Sequence, residues 1–169
     1  MLRGWTLTLK VNSGSKVLVR GGPVAQRATL SIVVNASPDA VYSIVTDFAA
    51  YSQWVGELKK IEVLERDADG RALEVEFRAA AFGRSTTYVL RYDYSRAPGE
   101  LNWKQIDGDI TKSLVGQYRF EPSGSGTKVT YDLEVELAVP IPSFVKARAA
   151  QRIQIQALRE LRERAERRS

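Results

Sequence analysis

Val129-Thr130-Tyr131-Asp132-Leu133-Glu134-Val135-Glu136-Leu137 alternates apolar and polar residues without a break, and Pro140-Ile141-Pro142 follows it closely. A period of two puts Val129, Tyr131, Leu133, Val135 and Leu137 on one face of a half-buried strand. The prolines then end the sheet, because proline cannot donate to a ladder. From about Ser143 towards Arg168 the period becomes helical, with Phe144, Ala147, Ala150, Ile153, Ala157, Leu158, Leu161 and Ala165 as the apolar stripe. A two-faced strand running into a long two-faced helix predicts an α+β domain, with a curved antiparallel sheet wrapped around that helix. Small residues in the first half of the stripe let the helix lie close to the sheet or leave room for a ligand.

Reading back from that strand, the same alternation recurs from Lys60 onward. A strand over 61–65 leads into the turn Asp67-Ala68-Asp69-Gly70. Leu73, Val75, Phe77 and Ala79 then alternate with Glu74, Glu76 and Arg78, which gives one apolar and one wet face. Gly83 turns the chain into 85–94, where Tyr88, Leu90 and Tyr92 share a face. Pro98-Gly99 fits a tight turn before 101–106, with Leu101 and Trp103 on one side and Gln105 ending it. After Asp107-Gly108-Asp109, a strand over 113–120 groups Leu114, Gly116, Tyr118 and Phe120. Six successive strands joined by short turns must be antiparallel neighbours.

Ahead of this run, 28–34 is rich in β-branched residues and reads as a first strand. Ser37-Pro38-Asp39 then announces a helix, as N-cap, first helical residue and acid at the positive end of the dipole. Val41, Ile44, Val45 and Phe48 recur at helical spacing, and a second short helix carries Tyr51 and Trp54. Residues 1–27 read as a basic N-terminal extension, either a hairpin or poorly ordered, set off from a single domain over 28–169. Alternation from Trp5 to Val11, a turn at Asn12-Ser13-Gly14-Ser15 and the apolar Val17-Leu18-Val19 suit a hairpin. Gly21-Gly22-Pro23 reads as a linker.

Hydrophobic residues form 44% and charged residues 27% of the 169, a globular balance. The chain has neither cysteine nor histidine. That excludes disulfides, thiolate nucleophiles and imidazole as base or metal ligand. No stretch reaches the length of about 20 apolar residues that spans a bilayer, and no signal-peptide core is visible, so the expectation is cytoplasmic. The net charge of +5 is unevenly placed: residues 1–27 carry five basic groups and no acid, and residues 143–169 carry eight basic and three acidic. Basic ends suit an anionic surface or RNA, or are simply a solvated helix face and tail.

A strand, two short helices, six antiparallel strands and a long C-terminal helix is the order of the helix-grip, or START/Bet v 1-like, fold. The residues resemble the polyketide cyclase/dehydrase and coenzyme Q-binding branch of the START-like (SRPBCC) superfamily, especially its small actinobacterial members. The carrying segments are Ser37-Pro38-Asp39-Ala40-Val41-Tyr42, Asp47-Phe48 through Tyr51 and Trp54, Ser113-Leu114-Val115-Gly116-Gln117-Tyr118-Arg119-Phe120, and Gly124-Ser125-Gly126-Thr127-Lys128-Val129-Thr130-Tyr131. The match spans about residues 28–167. It implies a sheet of about seven strands and a deep, mostly apolar cavity under the helix. It also implies a function drawn from lipid or quinone binding, polyketide cyclisation or aromatisation, or action on ribosome assembly. Fold alone does not choose among these.

The expected ligand-binding set is the apolar face: Phe77, Tyr88, Leu90, Tyr92, Trp103, Tyr118, Phe120 and Tyr131, opposed by Phe144, Ala147 and Ala150 of the helix. The ligand would be an apolar small molecule, entering near the short helices and the turn at Phe82-Gly83. The alternative is that these rings pack together with no void. Tyr88, Tyr92, Tyr118 and Tyr131 could hold an enolate or ketone by hydrogen bonds, with Tyr88, Tyr92 and Tyr118 the catalytic candidates, and the residues favour a carrier over an enzyme. Tyr as general acid is poorly matched to neutral pH, with an ordinary pKa near 10. Arg78 and Arg91 read as outward partners of Glu74, Glu76 or Asp93. Asp67 with Asp69, and Asp107 with Asp109, lack the spacing of a calcium loop and read as hairpin turns. The glycine–serine loop over 123–126 lacks a phosphate-loop ending. No metal or cofactor is implied. Arg159, Arg162, Arg164, Arg167 and Arg168 are the candidate contacts to RNA or an anionic surface.

Overall fold

The computed structural model describes residues 8–11, 15–21, 26–81, 83–138 and 140–167. Its strands are β1 (Thr8–Val11), β2 (Ser15–Gly21), β3 (Gln26–Val34), β4 (Leu58–Arg66), β5 (Ala72–Ala81), β6 (Arg84–Asp93), β7 (Glu100–Gly108), β8 (Thr111–Ser123) and β9 (Gly126–Leu137). Helix α1 (Pro38–Thr46) and a short 3-10 helix (Phe48–Gln53) separate β3 from β4, and α2 (Ser143–Glu166) closes the chain. The strands form one sheet in the order β1-β2-β3-β9-β8-β7-β6-β5-β4. Every neighbouring pair is antiparallel.

The topology follows from where the helices fall. β4 to β9 is an unbroken meander, because each pair is joined by a short turn. α1 and the 3-10 helix carry the chain from β3 to the far edge, so the meander returns to lie against β3. Register shifts in the β4–β5, β6–β7 and β8–β9 pairs insert extra residues on one strand, which bends and twists a sheet. The curved seven-strand sheet β3–β9 with its long helix is the helix-grip fold.

Sequence chemistry explains the ends of the elements. The Ser37 hydroxyl accepts from the Ala40 N–H at 3.3 Å, with Pro38 at the start of α1. Asp67 Oδ1 accepts from the N–H groups of Asp69 and Arg71 at 3.0 and 2.9 Å, and Gly70 supplies a positive φ of 80°. This carboxylate organises a turn. Likewise Asp109 accepts from the Thr86 hydroxyl and the Thr87 N–H.

β2 pairs with β3, with Leu18 opposite Thr29, so the hairpin β1–β2 extends the same sheet beyond β3. Gly22 and Pro23, read from the sequence as a linker, lie outside the described residues. The helix α2 packs on β3, β9 and α1. Its Leu158, Leu161 and Ala165 join Leu30, Val34, Val41, Val45, Val129 and Leu133 in one core. Among the described residues no helix is long and apolar enough to cross a membrane.

Candidate functional site

The concave face of the sheet and α2 do not meet everywhere. Between them lies a cavity of about 220 Å³. Its deep end is made by buried residues of β6, β7 and β9, namely Leu90, Tyr92, Leu101, Trp103, Tyr131 and Leu133. Its shallow end is lined by half-buried Trp54, Glu57, Lys146, Gln156 and Glu160, which mark the mouth. The mouth therefore lies between the segment after the 3-10 helix and one shoulder of α2. Glu160 Oε1 ties those two walls together, accepting from the Gly56 N–H at 3.3 Å and from Gln156 Nε2 at 3.1 Å.

The walls are strongly aromatic. Tyr118 and Tyr131 have ring centroids 4.6 Å apart, Trp103 and Tyr118 5.1 Å, and Trp103 and Tyr131 5.7 Å. Phe77 and Tyr88 stack at 5.4 Å with planes 16° apart. These are favourable ring geometries, so the rings do pack on one another, yet a void remains beside them. The Tyr51 hydroxyl is spent on the Val45 carbonyl at 2.5 Å. The hydroxyls of Tyr88, Tyr92, Tyr118 and Tyr131 make no hydrogen bond to the described residues and are not sealed from solvent-sized space. They are free to serve a ligand.

Burial also fixes their protonation. It pushes the Tyr88 phenol up to about 12, with the Glu57 carboxylate adding to the rise. Burial raises Tyr92, Tyr118 and Tyr131 well above the ordinary phenol value, and neighbouring phenols contribute. All four are neutral hydrogen-bond donors at physiological pH.

Residues 25–166 match the sequence profile of the polyketide cyclase / dehydrase and lipid transport family. The chain belongs to this family. A START superfamily protein from Mycobacterium smegmatis is 26% identical, with TM-score 0.80 over 85% of this chain and 99% of that one. The aromatase/cyclase Zhui from a Streptomyces species is 18% identical, with TM-score 0.74 over 85% of this chain and 95% of that one. A STAR-related lipid transfer protein from Xanthomonas axonopodis is 19% identical, with TM-score 0.71 over 95% of this chain and 98% of that one. Among curated proteins, none matches this chain. The last two likenesses speak to the fold alone.

Within this START-like scaffold the expected set divides. Phe77, Tyr88, Leu90, Tyr92, Trp103, Tyr118, Tyr131 and Ala150 line the cavity. Phe120 does not. It is buried one ring beyond Tyr118, edge-on to Tyr42 at 5.9 Å, because α1 covers that end of β8. Phe144 is a plain correction: it is 65% exposed and turned to solvent. At about 100° per residue, Phe144 stands roughly 80° off the mean direction of the buried Ala150, Gln154, Leu158, Leu161 and Ala165. Ala147 is half-buried and outside the cavity lining. The helix instead presents Lys146, Ile153, Gln156, Ala157 and Glu160 to the cavity beside Ala150.

The outward arginines behave as ordinary surface groups. Arg91 pairs with Glu74 at 2.5 Å, and Arg78 Nε reaches the Ser85 hydroxyl at 3.3 Å. Of the C-terminal arginines, Arg164 donates to Gln53 Oε1 at 2.8 Å and Arg167 pairs with Glu163 at 3.3 Å. Arg162 is half-buried and Arg159 exposed. Arg168 lies outside the described residues.

Proposed function

We propose that this protein binds and carries a hydrophobic small molecule, lipid-like, quinone-like or polyketide-like, in the cavity between the sheet and α2. The observation that carries this reading is the pairing of an apolar void with four tyrosine hydroxyls that make no hydrogen bond to the described residues. Apolar walls with a few convergent polar groups are what small-molecule sites offer. Binding comes mainly from burial, worth about 25 cal/mol per Å² of apolar surface before ordering costs. The test is native mass spectrometry of protein purified from a native-like host, followed by organic extraction. A stoichiometric apolar adduct supports the reading. Bare protein that also ignores a panel of lipids, quinones and aromatic ketones removes it.

One observation favours a second reading, aromatase/cyclase chemistry. Cyclising a poly-β-ketone requires a proton acceptor, and the neutral phenols are poor ones. The Glu57 carboxylate, however, lines the same cavity as Tyr88, and its charge adds to the rise of that phenol's pKa. Turnover of a poly-β-ketone thioester, abolished in Glu57→Gln with binding retained, supports cyclisation. No turnover by the native chain rules it out.

A further inference from the structure

We propose that the ligand is compact: a single ring bearing a carbonyl or hydroxyl oxygen on the buried edge, with no charge on the part that enters. This rests on the carrier reading above and narrows it by size, shape and polarity.

Size comes first. A void of about 150 Å³ is enough for one benzene ring, and scaling six ring carbons to ten gives roughly 250 Å³. The cavity, at about 220 Å³, holds one ring with a short substituent and falls short of two fused rings. Pockets for drug-sized ligands begin near 300 Å³. Two fused rings or a folded acyl chain would have to displace wall residues that are themselves packed at 4.6–5.7 Å between centroids.

Shape follows from the walls. The cavity is flanked by the stacked Phe77–Tyr88 pair and by the Trp103, Tyr118 and Tyr131 rings. Flat ring faces and edges reward another flat ring more than a flexible chain. A chain also loses more conformational freedom on binding.

Polarity is graded along the cavity. The charged liners Glu57, Lys146 and Glu160 are half-exposed at the mouth. The deep end holds Tyr92, Trp103 and Tyr131, which are buried and uncharged. An ion carried to the deep end would lose its hydration with no counter-charge among the described residues there. A carbonyl or phenol oxygen would meet the free hydroxyls of Tyr118, Tyr131 or Tyr92. Leaving those donors unpaired under an apolar ligand is the costlier outcome.

The test is calorimetric titration of the full chain with four probes. Acetophenone and ethylbenzene share one shape and differ by a carbonyl, acetonaphthone adds a second ring, and palmitic acid is a charged chain. Acetophenone is expected to bind best, about fivefold to tenfold tighter than ethylbenzene, the ratio one hydrogen bond gives. Acetonaphthone and palmitic acid should be at least tenfold weaker than acetophenone. Tyr118→Phe and Tyr131→Phe should each narrow the ketone preference, weakening acetophenone and easing ethylbenzene, which no longer covers an unpaired donor. Tighter binding of acetonaphthone or palmitic acid overturns the size limit and leaves the carrier reading intact. Equal binding of the matched pair overturns the role of the hydroxyls. If no probe and no lipid binds, the carrier reading itself fails.

Discussion

A side chain on Gly116 would place its Cβ 2.2 Å from two carbons of the Trp103 indole. β7 and β8 set these residues opposite each other in the ladder, so the indole occupies the space that residue 116 leaves open. Trp103 in turn touches Tyr92, Tyr118 and Tyr131, and the missing side chain thereby positions the deep wall of the cavity. Gly116→Ala is expected to push the indole out of place. Overpacking of this kind costs about 1–3 kcal/mol, and in a domain of this size each kcal/mol lowers Tm by roughly 2–4 °C. Tryptophan emission should shift as well. A variant with unchanged Tm and emission would show that Trp103 does not depend on Gly116.

Gln154 is fully buried, and its Nε2 donates to the carbonyls of Ala28 on β3 and Tyr131 on β9, both at 3.0 Å. One helix side chain thus fastens α2 to two strands, while its Oε1 has no partner among the described residues. Gln154→Ala should cost about 1–3 kcal/mol from the unpaired groups alone, with a cavity loss added. Gln154→Met fills the space and removes the orphan oxygen, so its loss should be the smaller. Urea midpoints of the three proteins check this. An alanine variant as stable as the native chain would mean the two bonds contribute nothing.

Period-two alternation was enough to find the sheet, since nearly every inward residue named from 77 to 137 faces the core. Bulges and capping moved the strand ends; β8 begins at Thr111 and ends at Ser123, beyond the 113–120 that its apolar residues suggest. The helix face was harder to read. An apolar stripe treats Phe144 and Ala150 alike, although α2 turns one outward and the other inward. It also passes over Gln154 and Gln156, whose polar letters hide a buried anchor and a cavity wall. Phe120 fails differently: it is inward, but α1 covers it, and no strand pattern reports where a helix elsewhere in the chain will sit. The dependence of Trp103 on Gly116 was invisible for the same reason, being a cross-strand fact.

Ala150 is 4% exposed and contributes to the cavity roof. Ala150→Leu separates a real void from a packed core by sign. If the space is open, the added carbons fill it, stability holds or rises by about 0.5–2 kcal/mol, and acetophenone binding falls at least tenfold. If the rings already fill the space, the same change overpacks the core and lowers stability by about 1–3 kcal/mol. A thermal melt with and without ketone gives both readouts on one sample.

All seven tyrosines of the chain have a raised pKa, chiefly through burial, with Tyr88 and Tyr94 pushed up to about 12. In the unfolded chain these phenols titrate near 10. A folded value above the unfolded one means the native state holds its protons longer. That stability is complete below about pH 10 and drains away as the pH rises through about 12. Tyrosinate absorbance should therefore stay low where free tyrosine titrates, then climb in one step together with loss of the sheet signal in circular dichroism. A gradual rise centred near pH 10, with the circular dichroism intact, would mean that the cavity hydroxyls already stand in bulk water. The donors that give the cavity its selectivity would then be too well hydrated to discriminate a ketone from its methylene analogue.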